Sequence, residues 1–197
     1  MIPLALSVSD AVAALGDDST PQARDGVATD LLEIRRGLAK WWTEHTCELI
    51  QEAGLNSPSY IKAVDAHLTT SSRVTALYDD PFEAESRALY DTGIILVSHA
   101  QILISPQLDS TALREEIVAH GSSILRAVDY IERQEVWKDA GGPFRLTYPL
   151  KVVRDTSPNL QQSQDADAFL TSWRKRRGIN TDWTCSKSCS IIKTPTS

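Results

Sequence analysis

Residues 81 to 104 read PFEAESRALYDTGIILVSHAQILI, and this stretch decides the fold. Pro81 suits the first position of a helix, because its missing N–H has no intrahelical partner there. The first half is amphipathic at helical spacing. The second half, GIILVSHAQILI at residues 93–104, is apolar almost all round, which is typical of a helix that neighbours cover on every side. The stretch therefore predicts a central, buried helix, too short for a bilayer that needs about 20 apolar residues.

Helical signals continue on both sides of this stretch. In residues 29–54, apolar side chains recur at three- and four-residue steps, and Gly37 within that segment indicates close packing. Pro149 predicts a bend in its segment, because an interior proline removes a backbone donor. The predicted helices cover residues 29–54, 56–68, 81–104, 109–137, 143–153 and 157–178, with a connector or a further helix between 69 and 80.

Strand signals are weak by comparison. No run alternates convincingly with period two, and the best strand candidate, LKVVR at residues 150–154, is short. The sequence predicts an all-α fold: a single domain over residues 1–180, with six or seven helices around the central one. Residues 181–197 are rich in Ser and Thr, and we expect them to form a loosely ordered tail.

Composition narrows the functional classes. The chain has 197 residues, 42% of them hydrophobic and 23% charged, as globular proteins do, and its net charge of −6 disfavours direct binding to nucleic acid. Three cysteines are too few for a disulfide framework, and the apolar start lacks a basic residue, so we expect an intracellular, cytoplasmic protein without a membrane segment. The basic run at residues 174–177 could be a nuclear localisation signal, but we favour its interpretation as the cationic last turn of a helix.

Metal and cofactor motifs are weak. Cys185 and Cys189 are four residues apart, but no second pair completes a zinc site. Asp79, Asp80 and Glu83 form a D-D-x-x-E cluster that suits magnesium. The same pattern is also typical of the capped start of a helix, and no second acidic motif completes a metal site. We therefore expect neither a metal nor a cofactor.

The candidate site residues are aromatic side chains and histidines. His99 interrupts the apolar helix and is either a satisfied core histidine or a donor aimed into a cavity, so His99 and Tyr90 are the catalytic candidates. Glu116 stands four residues before His120, close enough for the carboxylate to orient the imidazole. Adjacent tryptophans cannot both enter one core from one helix face, so one must lie at an edge. The predicted substrate-binding residues are Trp41, Trp42, His45, Tyr130, Trp137 and Tyr148.

Three segments carry a resemblance to a known family. LYDTGIILVSHAQILISP, GGPFRLTYPLKVV and FLTSWRKRRGIN resemble the central helix, the Pro-Leu segment and the closing helix of the helical domain in fungal zinc-cluster transcription regulators. The resemblance covers roughly residues 30 to 180. It implies a helical domain that senses small molecules or mediates contacts. The six-cysteine zinc cluster of those regulators has no counterpart here, which excludes DNA recognition through such a cluster.

These observations lead to two hypotheses of different classes. In the first, a pocket enclosed by the proline segment, the central helix and the two tryptophans binds an apolar metabolite, and the protein acts as a cofactor-free cyclase of the pericyclic, Diels–Alder type in fungal secondary metabolism. In the alternative, the chain is a regulatory or protein-interaction module derived from such a regulator. A homodimer stays open in both.

Overall fold

The computed structural model describes residues 21–52, 78, 81–105, 109–134 and 142–177, and every element in these ranges is an α-helix. This confirms the all-α class. The described part holds five helices, fewer than the six or seven predicted, while the helix predicted over 56–68 and the tail at 181–197 lie outside the described residues. The helices are α1 (Pro21–Glu52), α2 (Pro81–Ile104), α3 (Thr111–Arg133), α4 (Gly142–Thr156) and α5 (Leu160–Arg177).

Helix α2 has the bounds that the sequence predicts, and the helix predicted over 143–153 is confirmed as α4, so the short strand candidate LKVVR forms no strand. LKVVR lies inside α4, which continues through Pro149. Leu150, Val152 and Val153 are all buried there against other helices. Tertiary packing of these side chains outweighs the weak preference of β-branched residues for strands.

Helix α2 occupies the centre of the described helices and packs against α1, α3 and α4. Arg35 of α1 reaches Ser98 of α2, and Trp42 stacks on Tyr90. Later residues of α1 thus meet earlier residues of α2, so the two helices are antiparallel. Helix α1 packs mainly against α2. The prediction of a central, buried helix is confirmed, because α2 buries side chains along its whole length.

Two apolar clusters stabilise this arrangement. The main core joins α2, α3, α4 and α5 through fully buried side chains that include Ile95, Ile124 and Leu150. A smaller cluster attaches α1 to α2 and contains Leu31 and Leu38 of α1. Burying one such side chain stabilises the fold by about 1.5–3 kcal/mol, so α1 has much the smaller share of this stabilisation.

The length and apolarity of the described helices can be compared with those of a membrane span. None of them combines the length and the apolarity that crossing a bilayer requires.

Gln162 connects α5 to α3 beside Gly121. Its Nε2 donates to the carbonyl of Val118 at 2.7 Å and to Oγ of Ser122 at 2.6 Å, while its Oε1 accepts from Ser157 at 2.8 Å. A Cβ atom at Gly121 would lie 2.8 Å from this Oε1. Gly37 is different: a Cβ there would meet nothing within 4 Å in the described part of the chain, so the close packing expected at this glycine is not found there.

We predict opposite effects for the same substitution at these two glycines. Gly37→Ala stabilises the protein by about 0.5–1 kcal/mol, because alanine loses less backbone entropy in a helix and nothing obstructs its methyl group. Gly121→Ala destabilises it by about 1 kcal/mol, because the methyl group displaces a hydrogen-bonded amide. Urea unfolding of both variants measures the two signs. Equal stabilisation by both would contradict the packing described for Gln162.

Candidate functional site

Ionisable and aromatic side chains meet along α2 where α1 and α3 flank it. We call this region the α1–α3 groove. Its floor comes from α2 and its walls come from the other two helices. The groove residues are Arg35 and Trp42 of α1, Arg87, Tyr90, Asp91 and Ser98 of α2, and Glu116 and His120 of α3.

The floor of the groove contains a fully buried carboxylate, Asp91. Nε of Arg87, one turn earlier, lies 3.1 Å from its Oδ1 and donates to its Oδ2 at 3.2 Å. His120 of α3 bonds Oδ1 through Nδ1 at 2.7 Å. Burial by itself raises the pKa of Asp91, but the charge of Arg87 and the hydrogen bond from His120 outweigh it and hold the pKa below its usual value. Asp91 is therefore ionised.

A second polar group connects all three helices of the groove. Arg35 of α1 donates to Ser98 of α2 at 3.5 Å and forms an ion pair with Glu116 of α3. The hydroxyl of Ser98 donates to the other Glu116 oxygen at 2.7 Å. The expected pair of Glu116 with His120 is therefore corrected: Glu116 bonds across the groove, and Asp91 orients the imidazole instead.

An aromatic stack closes one side of the groove. Trp42 and Tyr90 have ring centroids 5.0 Å apart and planes 25° apart. The guanidinium carbon of Arg87 lies 5.1 Å from the Trp42 centroid and 5.4 Å from that of Tyr90, within cation–π range of both. Burial raises the pKa of Tyr90, although the charge of Arg87 opposes this, so the phenol keeps its proton as a hydrogen-bond donor.

The other tryptophan lies at the outer edge, as expected for one member of the adjacent pair. Trp41 is 39% exposed, while Trp42 is half-buried. The Trp41 ring stacks on His45 with centroids 5.1 Å apart, and the ring of His45 contacts Phe82, which is 48% exposed. Nε2 of His45 is buried without a hydrogen-bond partner in the described part of the chain. This edge combines accessible apolar area with one unused polar atom.

The remaining candidates lie elsewhere. His99 is about two and a half turns from Tyr90 along α2 and on the opposite face, so the structure does not bring the two catalytic candidates together. Nε2 of His99 is buried without a partner among the described residues, and burial, with the charge of Arg114, lowers its pKa. The ring centroids of Tyr130 and Tyr78 lie 5.4 Å apart, and burial together with the charge of Asp91 raises the pKa of Tyr78 to about 12. Tyr148 packs against the main core, and Trp137 lies outside the described residues.

The described helices do not form the pocket expected between the Pro149 segment, the central helix and the two tryptophans. Leu146 and Leu150, on either side of Pro149, are fully buried in the main core, whereas the tryptophans lie on α1, whose main neighbour is α2. An open groove of about 810 Å³ lies between α4 and α5, and its lining residues include Arg154, Asp167 and Lys175. None of its lining residues belongs to the aromatic stack, and we assign it no role.

Metal coordination has no structural basis in the ranges described. No group of three or more His, Cys, Asp or Glu side chains is arranged there to hold an ion. Asp79, Asp80, Cys185 and Cys189 lie outside these ranges.

Sequence reasoning missed the charged floor of the groove. Arg87 and Asp91 stand one helical turn apart within the most buried helix of the chain. That spacing of opposite charges is a recognisable signal, because buried charges are retained only when they are paired. The sequence carries no such signal for His120, because its pairing with Asp91 depends on how α2 and α3 pack against each other.

Comparison with known proteins finds no counterpart. No family model matches this chain, and no curated protein and no solved structure matches it either. The resemblance to the helical domain of fungal regulators therefore stays a prediction, and the function has to be argued from the site.

We predict that the two acidic residues Asp91 and Asp129 differ sharply in their contribution to stability. Asp91→Asn destabilises the protein by about 3 kcal/mol at pH 7, because it removes the charge that compensates buried Arg87. Asp129→Asn changes stability by less than about 0.5 kcal/mol, because Asp129 pairs with Arg133 on the exposed surface.

The pH dependence of this difference has a defined sign. The folded protein holds the pKa of Asp91 below its usual value of 3.8. The stabilisation that ionised Asp91 gives the folded protein is therefore present above pH 3.8 and is lost as the pH falls through the folded-state pKa of Asp91. Urea unfolding at pH 7 and at about pH 3 checks this. A gap between wild type and Asp91→Asn that widens in acid would contradict it.

Proposed function

We propose that this protein binds a partly apolar, planar small molecule at the aromatic edge of the α1–α3 groove. The observation that carries the proposal is the meeting of four predicted site residues in one cluster: Trp41, Trp42, His45 and Tyr90. Flat aromatic side chains offer large apolar area at low conformational cost, and ligand sites typically combine such surfaces with a few polar groups.

Polar groups next to the rings suit a ligand with one or two hydrogen-bonding atoms. The protonated phenol of Tyr90 can donate to a carbonyl, and Nε2 of His45 is buried and has no partner among the described residues. Asp91 and Arg87 neutralise each other beneath the stack. A ligand at this edge therefore meets little net charge, which favours a neutral molecule.

Cofactor-free cyclisation is the reaction class that we propose for such a site. A pericyclic step needs the reacting ends held together and a donor on a carbonyl that gains negative charge, without an acid, a base or a metal. Tyr90 supports this role by its position in the cluster. His99, on the opposite face of α2, does not share that position, so the proposal now assigns the donor to Tyr90 alone.

We expect wild-type protein to bind 2-methoxynaphthalene, a neutral planar probe, in a saturable manner. Trp42→Ala weakens this binding about tenfold, because it removes the stacking surface. The matched control is Leu160→Ala, which removes an apolar side chain that is 71% exposed at the start of α5, outside the groove. Isothermal titration calorimetry measures all three proteins.

Two results would contradict the binding site. One is an absence of saturable binding by folded wild-type protein up to the solubility limit of the probe. The other is equal weakening by Trp42→Ala and Leu160→Ala. Linear polyene precursors tested in parallel address the reaction class: equal cyclisation rates with and without protein would refute it while leaving binding intact.

A protein-interaction module is the second candidate, and the exposure of Trp41 and Phe82 favours it. Aromatic residues are enriched at the centres of protein interfaces. If two copies of the chain associate through these rings, Trp41→Ala combined with Phe82→Ala reduces the dimer fraction by at least about tenfold. Light scattering coupled to size exclusion measures this. A monomer at all accessible concentrations would exclude the homodimer.

A further inference from the structure

We propose that His120 is the hydrogen-bond acceptor of the α1–α3 groove and selects ligands that carry an acidic hydroxyl, a phenol or an enol. This inference rests on the proposed function, because it names the chemical class that the same groove would take. It depends on three observations: the contact of His120 with Asp91, the surroundings of its ring and the lack of a partner for its second nitrogen among the described residues.

The contact with Asp91 determines the tautomer of the ring. An ionised carboxylate can only accept, so Nδ1 of His120 must carry the proton that it donates to Oδ1 of Asp91 at 2.7 Å. In the neutral imidazole, Nε2 then has a free lone pair. Arg87, on the same carboxylate, keeps Asp91 charged and so maintains this tautomer.

The same contact turns Nε2 away from Asp91. The two ring nitrogens lie on opposite sides of the imidazole, and Nδ1 faces a fully buried carboxylate. The side chain of His120 is 11% exposed, and no group in the described ranges bonds its Nε2. On this partly exposed side chain, Nε2 is therefore an oriented acceptor without a partner in those ranges, held by Asp91 in the way that a carboxylate fixes an imidazole at a catalytic or metal site.

The surroundings of the ring define what it can accept. The edge of Tyr90 faces the His120 ring with centroids 6.2 Å apart, and Tyr90 in turn stacks on Trp42. A planar ligand against this stack can place a hydroxyl near Nε2. Glu116, the nearest acid on the same helix, is occupied by Arg35 and Ser98 and so does not compete for that hydroxyl. A phenol or an enol fits best, because its O–H is a strong donor attached to a flat π-system.

The test compares two probes that differ by one methyl group, 2-naphthol and 2-methoxynaphthalene. We expect wild-type protein to prefer 2-naphthol about fivefold, the factor that corresponds to one ordinary hydrogen bond. His120→Asn keeps an amide donor in the place of Nδ1, and so a partner for Asp91, but it removes Nε2. It should abolish the preference, so that the ratio of the affinities for 2-naphthol and 2-methoxynaphthalene falls to about one.

A second measurement on the wild-type protein does not require the variant to fold. The ¹⁵N resonance of Nε2 of His120 should shift on addition of 2-naphthol and stay in place with 2-methoxynaphthalene. Shifts of equal size with both probes would overturn the inference, as would a wild-type protein that binds both equally or a preference that survives in folded His120→Asn. If neither probe binds, the proposed function fails and the inference fails with it, which is a distinguishable result.

Discussion

A fully buried, ionised carboxylate imposes the constraint on which the rest of the groove depends. Asp91 lies in the central helix, where an unpaired charge would be very unfavourable. Arg87 supplies the opposite charge from the same helix, and His120 supplies a donor from the next one. Because the carboxylate must keep both partners, the register between α2 and α3 is restricted at this point. The same restriction places an imidazole beside the aromatic stack.

Helix α1 depends on α2 in a different way. Its apolar attachment is small, and Arg35 reaches over the groove to Glu116 of α3. The exposed parts of this ion pair are screened by water, so its contribution to stability is modest. The ion pair also has a geometric effect, because together with the hydroxyl of Ser98 it connects the two walls of the groove. The aromatic side chains of α1 are thereby held against α2 in a defined position.

Much of the fold could be predicted from the sequence, and less of the site. The bounds of α2 follow from Pro81 at one end and Ser105-Pro106 at the other, because proline punctuates helices through local sterics. The edge position of one tryptophan follows from helical periodicity. The helix predicted over 143–153 is confirmed even though Val152 and Val153 are β-branched, because burial among neighbouring helices outweighs their weak preference for strands.

Contacts between helices set the limit of prediction for the site. Periodicity relates residues on one helix, so it can suggest Glu116 for His120 but cannot indicate that Asp91 approaches from another element. Helical spacing does place His99 on the face of α2 opposite Tyr90, but it does not show which helices cover each face. Four aromatic candidates nevertheless meet, because three of them share one side of α1 and the fourth lies on the helix that this side covers.

The most direct test of the central role of Asp91 is a titration of its carboxyl carbon by ¹³C NMR in the folded protein. We expect the resonance to keep the chemical shift of an ionised carboxylate from neutral pH down to below about pH 4, because Arg87 and His120 hold its pKa under the usual value. A resonance that titrates above about pH 5 would show a carboxyl group that is protonated by burial. That result would contradict both the fixed tautomer of His120 and the charged floor of the groove.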